Sequence, residues 1–580
     1  MAATYQPLDP AKREIRLLIV DTSRLDEQDG VVCHLETVSL LEDPCPSYEA
    51  ISWCWGDQSR RGQIIVNDQI VDVSANAAEV LRRVAFDKNH PRVWIDAVCI
   101  NQADIVERGQ QVSMMREVYS KAERVLAWLG EDEGTTEAAM KSIERLLEQC
   151  RLETGGVEDL RDVFFDGVYR KYSDLPLPED TDWAAISTFY NAPWFFRVWI
   201  IQEVLLARSA LCFRGPHVLP WPSISLAAQW LNHRNYHRFI GASNPGIGID
   251  KASRLWRFTH VKPHLTNLLT MNVYLQATEP LDKVFGILGL VGSLGIEGVG
   301  IVPDYEAGVG EVFARATRAA VEANGLALLD CAQQLVPYEG QEDKTDAVDV
   351  PSWVPRYDWR DYRPGGSPAI PELPLRFGAC GGRPLELQPS SDPKTLRLKG
   401  HLLDRITTTS ALLSSSLILN ADVLSKEILS LLSLTRSLGL DDWDLAYTLT
   451  SNLTHAQNPA DQSPEYLYQY RQFILECRAK PHNPDSSSLT YFTTTAWSFA
   501  NTLYTHGRNR RFFSTSSGII GTGYPGVQVG DVVVMLFGGM SPFVLRERGD
   551  GKWRVVGTAF VGVVMEGEGV RGEGEWFELR

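Results

Sequence analysis

A chain of 580 residues exceeds what one ordinary core accommodates, so about two to four folded units are expected. Hydrophobic residues at 44% and charged residues at 22% exclude a disordered or fibrous chain and point to a soluble globular protein. The formal charge of −17 argues against a dedicated nucleic-acid binder, which shows a basic face, and no nucleic-acid partner is expected. The one dense basic cluster, RNRR at 508–511, reads as a solvated loop.

The nine cysteines are scattered and form no CxxC pair, so no metal site is expected and reduced thiols in a cytoplasmic compartment fit best. The N-terminus lacks the pattern of a cleaved leader. The apolar run VFGILGLVGSLGIEGVGIV, 284–302, is broken by glycine at six of nineteen positions and by Glu297. It reads as a short buried helix followed by a glycine-rich loop, so no membrane span is expected.

In chain order, residues 1–45 carry two strands, IRLLIV and VVCHLETVSL, stopped by DPCPS. A strand in YEAISWCWGD follows, then a hairpin turning at Asn67-Asp68, and Ser74 caps the helix ANAAEVLRRVAF. VWIDAVCI reads as a strand with Asp96 inside it. Asp104 and Glu107 have the spacing of a capping box on the next helix, whose Val112, Met115, Tyr119 and Ala122 form a buried stripe. RVLAWLG closes the series as another strand. Alternation of strand and helix over 48–130 predicts an α/β domain with a mainly parallel sheet, extending over 46–215 with an acidic helical insertion at about 131–185. DWAAISTFY then predicts a helix to Tyr190, a break at Asn191-Ala192-Pro193, and a second helix to about Arg208. Beyond it, 216–335 reads as mostly helical, 336–400 as an irregular connection, and 401–505 as mixed α/β. Short strands between Gly and Pro turns predict a small antiparallel sheet or barrel over 506–580.

Ligands of open parallel sheets bind beyond the carboxyl ends of the strands. Two polar clusters lie at such ends: Ser52, Trp53, Trp55 and Asp57, then Asp96, Asn101 and Gln102. A buried Asp96 must be hydrogen-bonded or paired. Asp96, Asn101 and Gln102 fit two roles, bracing the loop or lining a pocket. Cys99 reads as a small core residue. In FFRVWIIQEVLLA, Trp199 and Glu203 are four apart on one helix face, with Phe195 and Gln202 along the same side. Glu203 fits a half-buried functional carboxylate or a salt bridge to a distant arginine such as Arg197 or Arg116. No P-loop, GxSxG elbow or HExxH motif occurs. GVGEVFARA, 308–316, reads as a helix start.

YEAISWCWGD, VWIDAVCINQADIVERGQQVSMMREVYSKAERVLAWLG and PWFFRVWIIQEVLLA resemble, in order, the three blocks of the fungal HET (heterokaryon incompatibility) domain. EPLDKVFGILGL, VPDYEAGVGEVFARAT, PSWVPRYDW and the GDVVVMLFGG ending resemble the region that often follows it, although Leu281 stands where an arginine is usual. The resemblance implies a part in nonself recognition or programmed cell death. It also implies a TIR-like, flavodoxin-like α/β domain, because HET domains are similar to TIR domains. Some of those cleave NAD with a glutamate in a W-C-x-x-E motif. Trp199-Ile200-Ile201-Gln202-Glu203 matches that spacing without its cysteine, which implies Glu203 as the catalytic carboxylate. Trp55, Asp57, Asp96, Asn101, Gln102 and Trp199 would then bind the substrate, NAD, with no tightly bound cofactor. A non-enzymatic module that self-associates or binds another incompatibility protein, or a HET protein recruited as a regulator, are the alternatives.

Overall fold

The computed structural model describes residues 5–21, 31–57, 59–86, 92–155, 162–165, 181–234, 236, 247–273, 275–293, 300–332, 349–357, 377–453, 460, 463–479, 492–570 and 572–580. Contacts divide the chain into two units, residues 1–307 with 357–367, and residues 308–356 with 368–580.

The first unit is built on a nine-stranded sheet. Its strands are β1 (Glu14–Val20), β2 (Val31–Ser39), β3 (Glu49–Ser52), β4 (Arg61–Val66), β5 (Gln69–Ser74), β6 (Arg92–Trp94), β7 (Arg124–Trp128), β8 (Ala210–Arg214) and β9 (His217–Pro220). They lie in the order β5-β4-β2-β1-β6-β3-β7-β8-β9. The sheet is mixed rather than mainly parallel. The β2–β4, β3–β6, β3–β7 and β7–β8 pairs are parallel. The β1–β2, β1–β6, β4–β5 and β8–β9 pairs are antiparallel. For three of the four antiparallel pairs the reason is local: β4 and β5 form a tight hairpin whose Asn67 and Asp68 take φ 51 and 60, as a type I′ turn requires. The antiparallel pairs β1–β2 and β8–β9 likewise join strands consecutive in the chain. Parallel pairing survives at the centre, where β6-β3-β7-β8 have the order 2-1-3-4 by chain position. All four residues of β3 are buried, as a strand covered on both faces must be.

Helices α1 (Ala75–Phe86), α2 (Asp96–Cys99), α3 (Ile105–Lys121), α4 (Thr136–Glu153), α5 (Trp183–Tyr190) and α6 (Ile200–Leu205) interleave with these strands, and α7 (Trp221–His233), α8 (Ile247–His260), α9 (Leu265–Val273) and α10 (Asp282–Ser293) follow. Ser74 Oγ accepts from Ala77 N at 3.2 Å and caps α1 as expected. VWIDAVCI is not one strand: β6 stops at Trp94 and residues 96–99 form a single helical turn. Asp96 opens that turn, where its carboxylate accepts from Ala97 N at 2.8 Å. The Asp104–Glu107 capping box is half formed. Asp104 accepts from Val106 N and Glu107 N, but Glu107 reaches past it to Asn101 N at 2.8 Å and forms a bidentate pair with buried Arg16 of β1. The helix expected to run to Arg208 is a 3₁₀ turn (Pro193–Phe196) followed by the short α6. Its backbone is diverted where Val198 N bonds Gln276 O at 3.0 Å.

The second unit contains α11 (Val309–Asn324), β10 (Leu387–Gln388), β11 (Leu396–Leu412), α12 (Ser415–Leu419), α13 (Ala421–Ser437), α14 (Asp442–Leu449), α15 (Pro464–Ala479) and α16 (Thr494–His506). Strands β12 (Arg511–Thr515), β13 (Ile520–Gly523), β14 (Val532–Leu536), β15 (Phe543–Glu547), β16 (Trp553–Phe560) and β17 (Glu575–Leu579) complete it. The ring β11-β12-β13-β16-β15-β14 returns to β11 and so closes a barrel. The long β11 begins a hundred residues before the expected module. Register shifts along it let its first part pair β17, its middle β14 and its end β12. Ile406, Phe513, Met535, Val544 and Val556 fill the barrel core. A separate apolar cluster gathers α13, α15 and α16 with Phe512, so successive residues of β12 serve opposite faces. RNRR is not a solvated loop: Arg510 is 1% exposed over the Tyr524 ring, and Arg511 Nε donates to Pro525 O at 2.9 Å. Of the expected irregular connection, 336–348 and 358–376 lie outside the described residues, as do 166–180 of the acidic insertion and loop 294–299. Among the described residues no helix is long and apolar enough to cross a membrane, and the nine cysteines are free thiols.

Candidate functional site

Ser52 ends β3, and Asp96 starts α2 two residues beyond the end of β6, so both stand at the carboxyl ends of adjacent parallel strands. A cavity of about 770 Å³ opens there. Five of the expected site residues line it: Trp55, Asp96, Gln102, Trp199 and Glu203. Asp57 and Asn101 do not. Asp57 is exposed and accepts from Ser59 N at 2.9 Å in a local turn, which lowers its pKa. Asn101 Oδ1 accepts from Ala103 N at 3.3 Å, which braces the loop.

Asp96 is held by indoles. Trp53 Nε1 donates to Oδ1 at 2.6 Å and Trp55 Nε1 to Oδ2 at 3.1 Å, with the two rings stacked 5.5 Å apart. Gln102 Nε2 donates to the Asp96 carbonyl at 2.8 Å. Asp96 and Gln102 therefore brace their loop while lining the cavity. Cys99, with its thiol pushed up to about 12 by burial, stays in the core.

Glu203 is 2% exposed on α6. Ser52 Oγ donates to its Oε2 and in turn accepts from Trp194 Nε1 at 2.6 Å. Arg197 Nη1 lies 3.9 Å from Oε1 and also donates to Trp53 O. Burial raises the Glu203 pKa; the Arg197 charge and the Ser52 and Tyr119 hydroxyls oppose the shift. The arginine pairing and the place on a cavity wall, set out above as alternatives, coexist. Phe195 and Gln202 do not join this face: Phe195 sits in the 3₁₀ turn, and Gln202 Nε2 donates to buried Phe285 O at 3.2 Å.

The cavity holds a third acid that the pattern of residues did not single out. Asp282, at the start of α10, accepts from Tyr305 Oη at 2.8 Å and Trp199 Nε1 at 3.1 Å. Burial raises its pKa to about 6 against those two hydrogen bonds and the Arg108 charge. Arg108 of α3 lies over the Tyr305 ring, 4.6 Å from its centroid, and lines the same cavity. Asp282 and Tyr305 lie within EPLDKVFGILGL and VPDYEA, the stretches noted for their resemblance. No local periodicity could place them against Trp199, some eighty to a hundred residues earlier. The site thus combines indole faces, three buried or half-buried carboxyls and two guanidinium groups, a set able to hold a small polar aromatic ligand.

Residues 48–203 match the family model described as "Heterokaryon incompatibility protein (HET)", and residues 490–576 match that of the "Het-6 beta-barrel domain". A curated relative, "Heterokaryon incompatibility protein 6, OR allele" of Neurospora crassa, is 22% identical over 93% of this chain and 92% of its own length. No solved structure matches the chain. The cavity lies in the first matched region and its flanks, and the second match covers most of the closed barrel. The chain is thus similar to a HET domain over residues 48–203 and to a Het-6 barrel over residues 490–576.

Proposed function

We propose that the chain is a cytoplasmic effector of nonself recognition and programmed cell death, and that its cavity cleaves NAD at the nicotinamide–ribose bond. The observation that carries this reading is the convergence of Trp55, Asp96, Trp199 and Glu203 on one cavity at the carboxyl edge of the parallel strands. In the proposed reaction the C1′–N bond breaks and its electron pair leaves with neutral nicotinamide. The oxocarbenium-like ribosyl centre faces the Glu203 carboxylate, and water adds at C1′ to give ADP-ribose and a proton. The TIR-like reading of the domain, supported by the 2-1-3-4 order of its parallel strands, belongs to this proposal.

The test is nicotinamide release from NAD by the full chain at high protein concentration, because self-association is expected to promote activity. Turnover by the wild type and a loss of about 100-fold or more in Glu203→Gln, with the unfolding midpoint little changed, is the expected result. A second reading, a non-enzymatic module that signals by self-association or by binding another incompatibility protein, is favoured by the Ser52 and Arg197 contacts of Glu203. It requires no turnover at any protein concentration and a Glu203→Gln effect on stability alone.

A further inference from the structure

Among the described residues lining the cavity, Arg108 is the cation without a hydrogen-bonded or ion-pair partner. Arg197 is engaged by Glu203 and Trp53 O, and Lys283 Nζ by the carbonyls of Asn272 and Leu275. Arg108, by contrast, makes no ion pair and no side-chain hydrogen bond among the described residues, and its Nε is buried without an acceptor. A buried guanidinium donor left in this way costs free energy unless a ligand meets it. Its Cζ lies over the Tyr305 ring at 4.6 Å from the centroid, and Tyr305 is itself held by Asp282. The fork is therefore preorganised on a cavity wall, the arrangement that recognises phosphate by paired charge-assisted hydrogen bonds.

We infer that Arg108 is the phosphate-binding residue of this cavity, and that its ligand carries a phosphate or diphosphate group. The inference rests on the cavity being the ligand site proposed above, and adds the chemical class of what enters it. It does not depend on bond cleavage. An aromatic base would lie toward Trp55 and Trp199, with the phosphate toward Arg108 and Tyr305.

The experiment is a tryptophan-fluorescence titration of the full chain with ADP, inorganic pyrophosphate and adenosine, using the wild type, Arg108→Met and Arg108→Lys. ADP is expected to bind the wild type at least tenfold more tightly than adenosine. Arg108→Met should weaken ADP by about 10- to 100-fold and leave adenosine unchanged, with Arg108→Lys in between. Pyrophosphate binding as tightly as ADP identifies free diphosphate as the ligand class; weaker pyrophosphate binding identifies a nucleotide. Equal affinity of ADP for the wild type and a folded Arg108→Met, judged by its unfolding midpoint, overturns the Arg108 inference alone. If none of the three probes binds the wild type, the cavity itself fails as a ligand site.

Discussion

Asp282 holds its proton in the folded chain up to about pH 6, because burial disfavours the carboxylate more than Tyr305, Trp199 and Arg108 favour it. An unfolded aspartate releases its proton near 3.9. The folded state therefore binds this proton more tightly. The stability gained is complete below about pH 4 and lost as pH rises through about 6, a change of about 3 kcal/mol. Asp282→Asn cannot ionise and should escape that loss. Urea unfolding at pH 4.5 and pH 8 should show the variant gaining on the wild type by about 2 kcal/mol between the two, since roughly 1 kcal/mol is already lost by pH 4.5. An unchanged difference would mean that Asp282 is already ionised at the lower pH. At this scale the sequence was informative about Trp199 and Glu203, whose spacing lies within one turn. It was silent about Asp282, Tyr305 and Arg108, because each becomes a site residue only through partners far away in the chain.

Local signals marked elements well where the turn or cap is made of its own neighbours, as at Asn67-Asp68 and Ser74. They failed at 93–100 and 194–208, where apolar runs fit strand or helix equally and tertiary bonds decide. Gly248 in α8 is an element-scale case where local propensity and packing oppose each other. Alanine is the better helix former by about 1 kcal/mol, so Gly248→Ala alone would stabilise α8. A methyl group there, however, would overlap the Tyr190 carbonyl at the end of α5, and backbone cannot swing aside as a side chain can. Tyr190 is 1% exposed and donates its hydroxyl to Ile224 O at 2.7 Å, which pins the contact. The clash should win, and Gly248→Ala is expected to lower stability by about 1–3 kcal/mol in chemical denaturation. A gain in stability would show that α5 and α8 part readily.

The chain divides into two units, one around the mixed sheet and one that holds the barrel core and the apolar cluster of its helices. The barrel's existence was legible from its short strands, but its closure was not. That depends on β11, whose pairing with β14 spans well over a hundred residues and whose bulges no periodicity announces. Separate units imply separate unfolding transitions. Phe513 tests this. It is fully buried in the barrel core, and its ring lies against Gly521 on the neighbouring β13, where a side chain would strike it. Phe513→Ala should remove about 3–5 kcal/mol from the unit that contains it. In calorimetry of the full chain, one transition should fall by several degrees while the other stays in place. ADP binds within the first unit in the inference above, so its stabilising shift should follow the transition that Phe513→Ala leaves alone. If both transitions move together on Phe513→Ala, the two units unfold as one and the division of the chain at 307 has no thermodynamic meaning.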